Sequence, residues 1–113
     1  MPKVSVILPT WNRADWLEQS IQSVLGQSFL DFELIVVDDA SDDATAKILE
    51  SYSGKLRSIT FAKNMGVSAA RNIAISKCNS EWVAFLDSDD FWHPDKLEKQ
   101  IEQTSIRAEY PIH

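Results

Sequence analysis

The sequence predicts an α/β domain with a mainly parallel sheet of about four strands and helices on both faces. Short apolar, β-branched runs alternate with segments whose apolar residues recur at helical spacing, which is typical of βαβ units. Runs such as 4–8 and 34–37 are almost continuously apolar, as expected of parallel strands covered by helices on both faces. At 113 residues, the chain is long enough for one domain with a single core.

Strands and helices are predicted from these runs in order along the chain. The predicted strands are Lys3 to Leu8, Glu33 to Val37, Leu56 to Phe61 and Trp82 to Leu86. The predicted helices run from Ala14 to Gly26, from a Ser41 cap to Gly54, from Val67 to Lys77, and from His93-Pro94 through Ile101. The bulky aromatics are expected to pack between helices and sheet, with Trp11 as the exception: Trp11, Trp16, Trp82, Phe91 and Trp92.

Composition excludes several classes of function. A net charge of −6 argues against nonspecific binding of a nucleic acid backbone, which needs a basic face. The longest apolar runs are far below the roughly 20 residues of a membrane-spanning helix. A single cysteine, Cys78, allows no internal disulfide and suits a reducing cytosol. We therefore expect a cytoplasmic protein with no nucleic acid partner and no membrane span.

Polar and acidic residues follow three of the predicted strands. The segments are 9–13 after the first strand, 38–43 after the second, and Asp87-Ser88-Asp89-Asp90 after the fourth. Ligands of open parallel α/β sheets bind beyond the carboxyl ends of the strands, where these segments meet. The sequence therefore predicts a site for a metal-bound nucleotide diphosphate at this edge.

The acidic segment after the fourth strand is the candidate metal site. Two carboxylates two residues apart can present oxygens to one divalent ion, and Mg²⁺ or Mn²⁺ prefers such ligands. The ion would also let an acidic protein hold a polyanionic diphosphate. The alternative is that Asp87 and Asp90 only cap the turn before the last helix, which an isolated Asp-x-Asp pattern favours.

Asp39 and Arg71 are candidate contacts for a nucleobase. A carboxylate at Asp39 can accept the imide N–H of uracil, whereas cytosine has no donor there; the alternative is that Asp39 only ends a strand and helps cap a helix. Arg71 follows a loop that enters a helix of small residues, and its guanidinium can donate to a base carbonyl or a phosphate. A surface ion pair is the alternative for Arg71.

Four segments together resemble the family 2 glycosyltransferases, which have the GT-A fold. They are residues 4–13, 32–43, 64–72 and 82–97. Their order and spacing are those of the family, and the resemblance covers nearly the whole chain. The resemblance identifies the sheet as the nucleotide-binding half of a GT-A (Rossmann-like) fold. One departure is that residues 77–81 lack the glycine that commonly precedes the fourth strand, although Asn79 tolerates the same left-handed backbone.

The resemblance implies a nucleotide-diphospho-sugar donor, with a UDP-sugar favoured. It implies a pyrimidine held near Pro9, Thr10, Asp39 and Arg71, and a diphosphate held through Mg²⁺ or Mn²⁺ at the acidic segment. Asp89 would be the metal ligand, and Asp87 would face the ribose or the water shell of the ion. An acceptor hydroxyl, on a glycan or a lipid-linked sugar, would attack the anomeric carbon with inversion.

The chain ends at His113, whereas in this family the acceptor-binding elements and the catalytic base come later. We therefore expect residues 1–113 to be a single donor-binding domain, truncated relative to a full glycosyltransferase and inactive alone. Truncation is expected to leave an outer edge of the first or fourth strand unpaired, which favours a homo-oligomer.

The alternative function is a non-catalytic, metal-dependent nucleotide-binding module. Phosphotransfer on an aspartate fits poorly, because the first strand ends in Pro9-Thr10.

Overall fold

The computed structural model describes residues 2–78, 80–86 and 91–107, with side chains up to residue 101. Strands and helices alternate as β1 (Val4–Thr10), α1 (Ala14–Leu25), β2 (Phe32–Asp38), α2 (Thr45–Ser51), β3 (Arg57–Thr60), α3 (Val67–Lys77), β4 (Trp82–Phe85) and α4 (Lys96–Arg107). The predicted α/β class is confirmed, and α3 has the predicted bounds. No helix in the described part of the chain is long and apolar enough to cross a membrane.

The strands form one parallel sheet in the order β3-β2-β1-β4. β1 lies in the interior, with Val4 beside Phe32 of β2 on one side and beside Trp82 of β4 on the other. Of the two strands expected to have an unpaired edge, the first is therefore interior and the fourth is at an edge of the described sheet. The crossover through α3 carries the chain past β1 to its free side, so the outer strands of the described sheet are β3 and β4.

Two apolar layers cover the sheet. Alternate residues of the strands point to opposite faces, so each strand contributes to both layers. One layer packs the sheet against α1, α2 and α4 and includes Leu8, Leu17, Ile21, Val36, Leu49, Leu86 and Leu97. The other packs the sheet against α3 and includes Ile7, Ile35, Val37, Ala70, Ala74 and Val83. The prediction of helices on both faces is confirmed.

The start of α2 differs from the prediction. The helix begins at Thr45, and the hydroxyl of Ser41 accepts the N–H of Asn12 at 2.9 Å instead of capping it. The N–H of Thr45 donates instead to the carboxylate of Asp43 at 3.0 Å. A contact with the β1–α1 loop, which local sequence does not reveal, therefore moves the helix start.

Gln27, just after α1, holds the start of α4 from 70 residues away. Its side chain is buried, donates to the carbonyls of Ser23 at 2.9 Å and His93 at 2.6 Å, and accepts the N–H of Leu97 at 2.9 Å. The first turn of a helix has N–H groups without intrahelical partners, and a distant amide satisfies one of them here. Nothing in the sequence pattern pointed to this contact.

The aromatic predictions are partly right. Trp92 is buried and Trp82 is half-buried, as expected of packing residues. Trp11, the predicted exception, is 53% exposed. The packing prediction is wrong for Trp16 and Phe91, which are 50% and 53% exposed, because both lie on the solvent side of their segments.

Candidate functional site

Thr10 and Asp39 lie together at the carboxyl edge of the sheet. Thr10 pairs with Asp38 in the β1–β2 register, and the N–H of Asp39 donates to the carbonyl of Thr10 at 2.9 Å. Pro9 precedes Thr10 in the same buried strand end. The structure therefore brings three of the predicted base-binding residues to one place.

The hydroxyl of Thr10 is buried without a hydrogen-bond partner among the described residues. The residue is only 3% exposed, and a buried polar group is nearly always satisfied in a native protein. Leaving such a hydroxyl unpaired costs about 1–3 kcal/mol. The Thr10 hydroxyl therefore lies at this edge with its hydrogen-bonding capacity unused by the described residues.

The carboxylate of Asp39 is anchored at both oxygens. Oδ1 accepts the N–H of Met65 at 2.6 Å, and Oδ2 accepts the N–H of Gly66 at 2.8 Å. Asn64 adds a bond from its amide to the Asp39 carbonyl at 3.3 Å. Gly66 has φ of 95°, a left-handed conformation that favours glycine, and it directly precedes α3. Asp39 thus joins the end of β2 to the start of α3.

Arg71 lies on α3 and faces the end of β4. Its guanidinium carbon is 5.2 Å from the centre of the Phe85 ring, which is a cation–π contact. Gly66 and Arg71 are five residues apart, so the anchor at Asp39 also places the helix that carries the arginine. Asp38, by contrast, accepts the N–H of Ser41 at 2.9 Å and closes the turn after β2.

The loops after β1 and β2 are joined through Asn12. Its N–H donates to Ser41, and its side-chain oxygen accepts the N–H of Asp42 at 2.9 Å. Asn12 and Ala40 both hold positive φ, at 51° and 64°. Uncommon backbone conformations of this kind cluster at ligand sites, where surrounding contacts enforce them.

Carboxylates of the chain occupy the helix N-termini at this edge. Asp39 accepts an N–H at the start of α3, and Asp43 accepts from Ala14 of α1 at 3.1 Å and from Thr45 of α2. Slight burial raises the pKa of Asp43, but hydrogen bonds from Thr45 and Ala14 outweigh it and lower the pKa. Helix N-termini bind phosphates in many nucleotide-binding folds, and here their N–H groups already bind anions.

The predicted metal site, including Asp87 and Asp89, lies outside the described residues. Elsewhere in the described part of the chain, no group of three or more His, Cys, Asp or Glu side chains could hold a metal ion. The chemistry of the acidic segment, three carboxylates and a hydroxyl, fits a hard ion such as Mg²⁺ or Mn²⁺. The roles of Asp87 and Asp89 stay predictions.

Comparison with known proteins identifies relatives over most of the chain. The sequence profile described as Glycosyl transferase family 2 matches residues 5–106. An Escherichia coli protein, WfgD, named as a UDP-Glc:α-D-GlcNAc-diphosphoundecaprenol β-1,3-glucosyltransferase, is 41% identical over 99 residues, which are 87% of this chain and 39% of that protein.

Solved structures have the same fold. Residues 1–349 of Staphylococcus aureus TarS in complex with UDP-GlcNAc match with a TM-score of 0.85 and 33% identity, over 94% of this chain and 32% of that one. The mannosyltransferase PcManGT of Pyrobaculum calidifontis, in complex with GDP-Man and Mn²⁺, matches with a TM-score of 0.86 and 27% identity, over 92% and 32%. The fold is therefore that of the GT-A glycosyltransferases.

The chain is short beside its relatives. It spans 41% and 42% of the length of the first two curated relatives that it matches, and 15% of the third. What it shares with them is the part that contains the candidate site.

Proposed function

Because the chain belongs to glycosyl transferase family 2, we propose that it is the donor-binding part of an inverting glycosyltransferase. The observation that carries this proposal is the buried Thr10 hydroxyl, which has no partner among the described residues, beside the anchored Asp39 carboxylate at the carboxyl edge. The donor is a nucleotide-diphospho-sugar, and a UDP-sugar is favoured. The neighbours solved with UDP-GlcNAc and GDP-Man support this class of ligand.

The uracil lies against Pro9 and Thr10, with its imide N–H donated to Asp39. A carboxylate oxygen has two lone pairs, so each Asp39 oxygen can accept a further bond beside its backbone partner. Arg71 donates to a base carbonyl from α3, and the Thr10 hydroxyl, which has no partner in the described part of the chain, gains one from the ligand. Asp87 contacts the ribose or the water shell of a metal ion.

The diphosphate is held through Asp89 and Mg²⁺ or Mn²⁺. A bound ion of this kind supplies charge stabilisation for the departing nucleoside diphosphate. Two features of the chain support a need for the ion: its net charge is −6, and its own carboxylates occupy the helix N-termini that could hold a phosphate. The complex of PcManGT with Mn²⁺ supports the same view.

The acceptor hydroxyl belongs to a glycan or a lipid-linked sugar, and its attack inverts the anomeric centre. The catalytic base lies outside residues 1–113, so these residues form a single donor-binding domain with little transfer activity alone. The protein acts in the cytoplasm. The outer edge of β4 is a candidate contact for self-association.

Calorimetry with uridine diphosphate tests the proposal. Binding is expected only with Mn²⁺ or Mg²⁺ present, and Asp89→Ala is expected to abolish it because the carboxylate bridges protein and ion. Asp31→Ala is the control, since it removes the same charge from an exposed position before β2. Metal-independent binding, or equal binding by Asp89→Ala, would contradict the assignment.

The second candidate function is a non-catalytic, metal-dependent nucleotide-binding module. The described site residues suit it equally, because Thr10 and Asp39 are candidate contacts for the nucleotide and not for the transfer step. Sugar transfer distinguishes the two: a protein that extends past His113 transfers sugar if the chain belongs to an enzyme, and only binds nucleotide if it does not.

A further inference from the structure

The anchored carboxylate of Asp39 is the best-defined polar group of the site. It is 4% exposed, and two consecutive backbone N–H groups of the β3–α3 loop bind its two oxygens. Rotation about the Cβ–Cγ bond moves both carboxylate oxygens together, so one hydrogen bond opposes it weakly. Here rotation must break two hydrogen bonds, one at each oxygen, so the loop fixes the plane of the group.

Fixing this plane matters for the choice between two pyrimidines. Uracil presents an N–H at the ring position where cytosine presents a lone pair. A mobile carboxylate would turn away from the cytosine lone pair and relieve the repulsion. A carboxylate that cannot turn leaves the repulsion in place, and selectivity arises as much from rejecting the wrong ligand as from binding the right one.

We propose that the backbone N–H groups of Met65 and Gly66 determine the preference for uracil over cytosine nucleotides by holding Asp39 in one orientation. The inference rests on the proposed function, in which Asp39 contacts the base. Met65 and Gly66 are positioning residues, because they act on the base only through the carboxylate.

The chain offers a variant that removes one anchoring bond. Met65→Pro deletes the N–H donated to Oδ1, and the Met65 side chain is 53% exposed, so little core packing is lost. Ala62→Pro is the matched control, because Ala62 is exposed, lies in the same loop, and leaves the charge unchanged. Gly66 is unsuitable for such a test, since its positive φ strains any other residue.

The experiment measures dissociation constants of uridine and cytidine diphosphates with Mn²⁺ for each protein. The wild-type chain and Ala62→Pro are expected to prefer the uridine nucleotide to the same extent. Met65→Pro is expected to lose roughly tenfold of that preference, which is what one hydrogen bond to a charged group is worth. An unchanged preference in a folded Met65→Pro protein overturns the inference.

Amide hydrogen exchange of the unmodified chain provides a second test that does not depend on the folding of a variant. The N–H groups of Met65 and Gly66 are expected to be protected in the free protein, since Asp39 already accepts them. Exchange at the rate of an open loop, with protection only after nucleotide is added, would show that the ligand imposes the orientation and would overturn the inference.

Failure of the proposed function gives a different result. If the wild-type chain binds neither nucleotide with Mn²⁺, or binds both equally, the assignment of Asp39 to the base is wrong. If the wild-type preference exists and Asp39→Asn removes it while Met65→Pro keeps it, Asp39 contacts the base and only the role of the loop is wrong.

Discussion

Ala40 holds a backbone conformation that is unfavourable for alanine. Its φ of 64° lies in the left-handed region, which costs about 1–2 kcal/mol for a residue with a Cβ. Asn12, at 51°, tolerates the same region better because its short polar side chain bonds locally. The strain at Ala40 therefore has no local compensation of that kind.

Ala40→Gly is expected to raise the free energy of unfolding by about 1 kcal/mol, because glycine adopts positive φ without steric cost. Urea denaturation measures the change. Ala46→Gly, in the exposed face of α2, is the matched comparison and is expected to lower stability by about 0.5–1 kcal/mol. Destabilisation by both substitutions would contradict the assignment of strain to Ala40.

Asp43 makes stability depend on pH. Its folded pKa lies below the ordinary value of 3.8, because the hydrogen bonds from Thr45 and Ala14 outweigh the effect of slight burial. The group therefore contributes stability that is present above pH 3.8 and is lost as the pH falls through the lowered folded pKa.

Asp43→Asn is expected to weaken the loss of stability in this acid range, and denaturation series at several pH values measure it. Asp31→Asn, at an exposed position before β2, is the control. An identical acid dependence in wild type and Asp43→Asn would contradict the role of the carboxylate.

The position of Asp39 could be predicted from sequence, but its partners could not. The residue follows an apolar run, so the strand end and the edge of the sheet were both evident. Met65 and Gly66 are 26 and 27 residues later, in a loop whose path depends on tertiary contacts. The same limit applies to the Thr10 hydroxyl, which has no hydrogen-bond partner among residues 2–78, 80–86 and 91–101, since burial and hydrogen bonding depend on the folded surroundings.

Helix boundaries show which signals are local. The predicted and observed bounds of α3 agree, and those of α1 agree within one residue, because apolar periodicity and neighbouring glycines mark these ends. α2 and α4 begin later than predicted, at Thr45 and Lys96. Contacts between residues distant in sequence help set both starts. Ser41 bonds Asn12 before α2, and Gln27 bonds Leu97 at the start of α4. Neither contact can be predicted from the local sequence.

Gln27→Leu is expected to lower the free energy of unfolding by about 2 kcal/mol or more. Leucine has a similar volume, but it leaves the carbonyls of Ser23 and His93 and the N–H of Leu97 without their partner. Gln22→Leu is the control: Gln22 lies on α1, five residues before Gln27, and its side chain donates to the Tyr52 hydroxyl at 3.0 Å at an exposed position.

Denaturant unfolding of both glutamine variants tests this role. The control is expected to change stability by less than about 0.5 kcal/mol. Equal and small effects of the two substitutions would show that the buried amide does not hold α4.

On the scale of the whole molecule, anion binding depends on an added cation. Acidic side chains outnumber basic ones by 17 to 11, and the chain's own carboxylates bind the N–H groups that begin α1 and α3. We expect inorganic pyrophosphate to show no binding in the presence of a chelator and measurable binding with Mn²⁺. Calorimetric binding of pyrophosphate without metal would mean that the fold contains a phosphate site of its own.

Self-association is also a property of the whole molecule. The edge of β4 that faces away from β1 has no strand partner within the described residues, and unpaired edges favour contact between chains. Light scattering is expected to show a mass that rises with protein concentration. A strict monomer at all concentrations would remove this proposal.

The interior position of β1 has a consequence for the order of folding. β1 pairs with β2 after a single helix, but its pairing of Val4 with Trp82 must wait until most of the chain exists. Long-range pairing of this kind is slow, because loop closure must precede the contact. During synthesis, β1, which is buried along its whole length in the folded domain, therefore spends an interval with one edge open, and a nascent chain that stalls before β4 presents that edge to other chains.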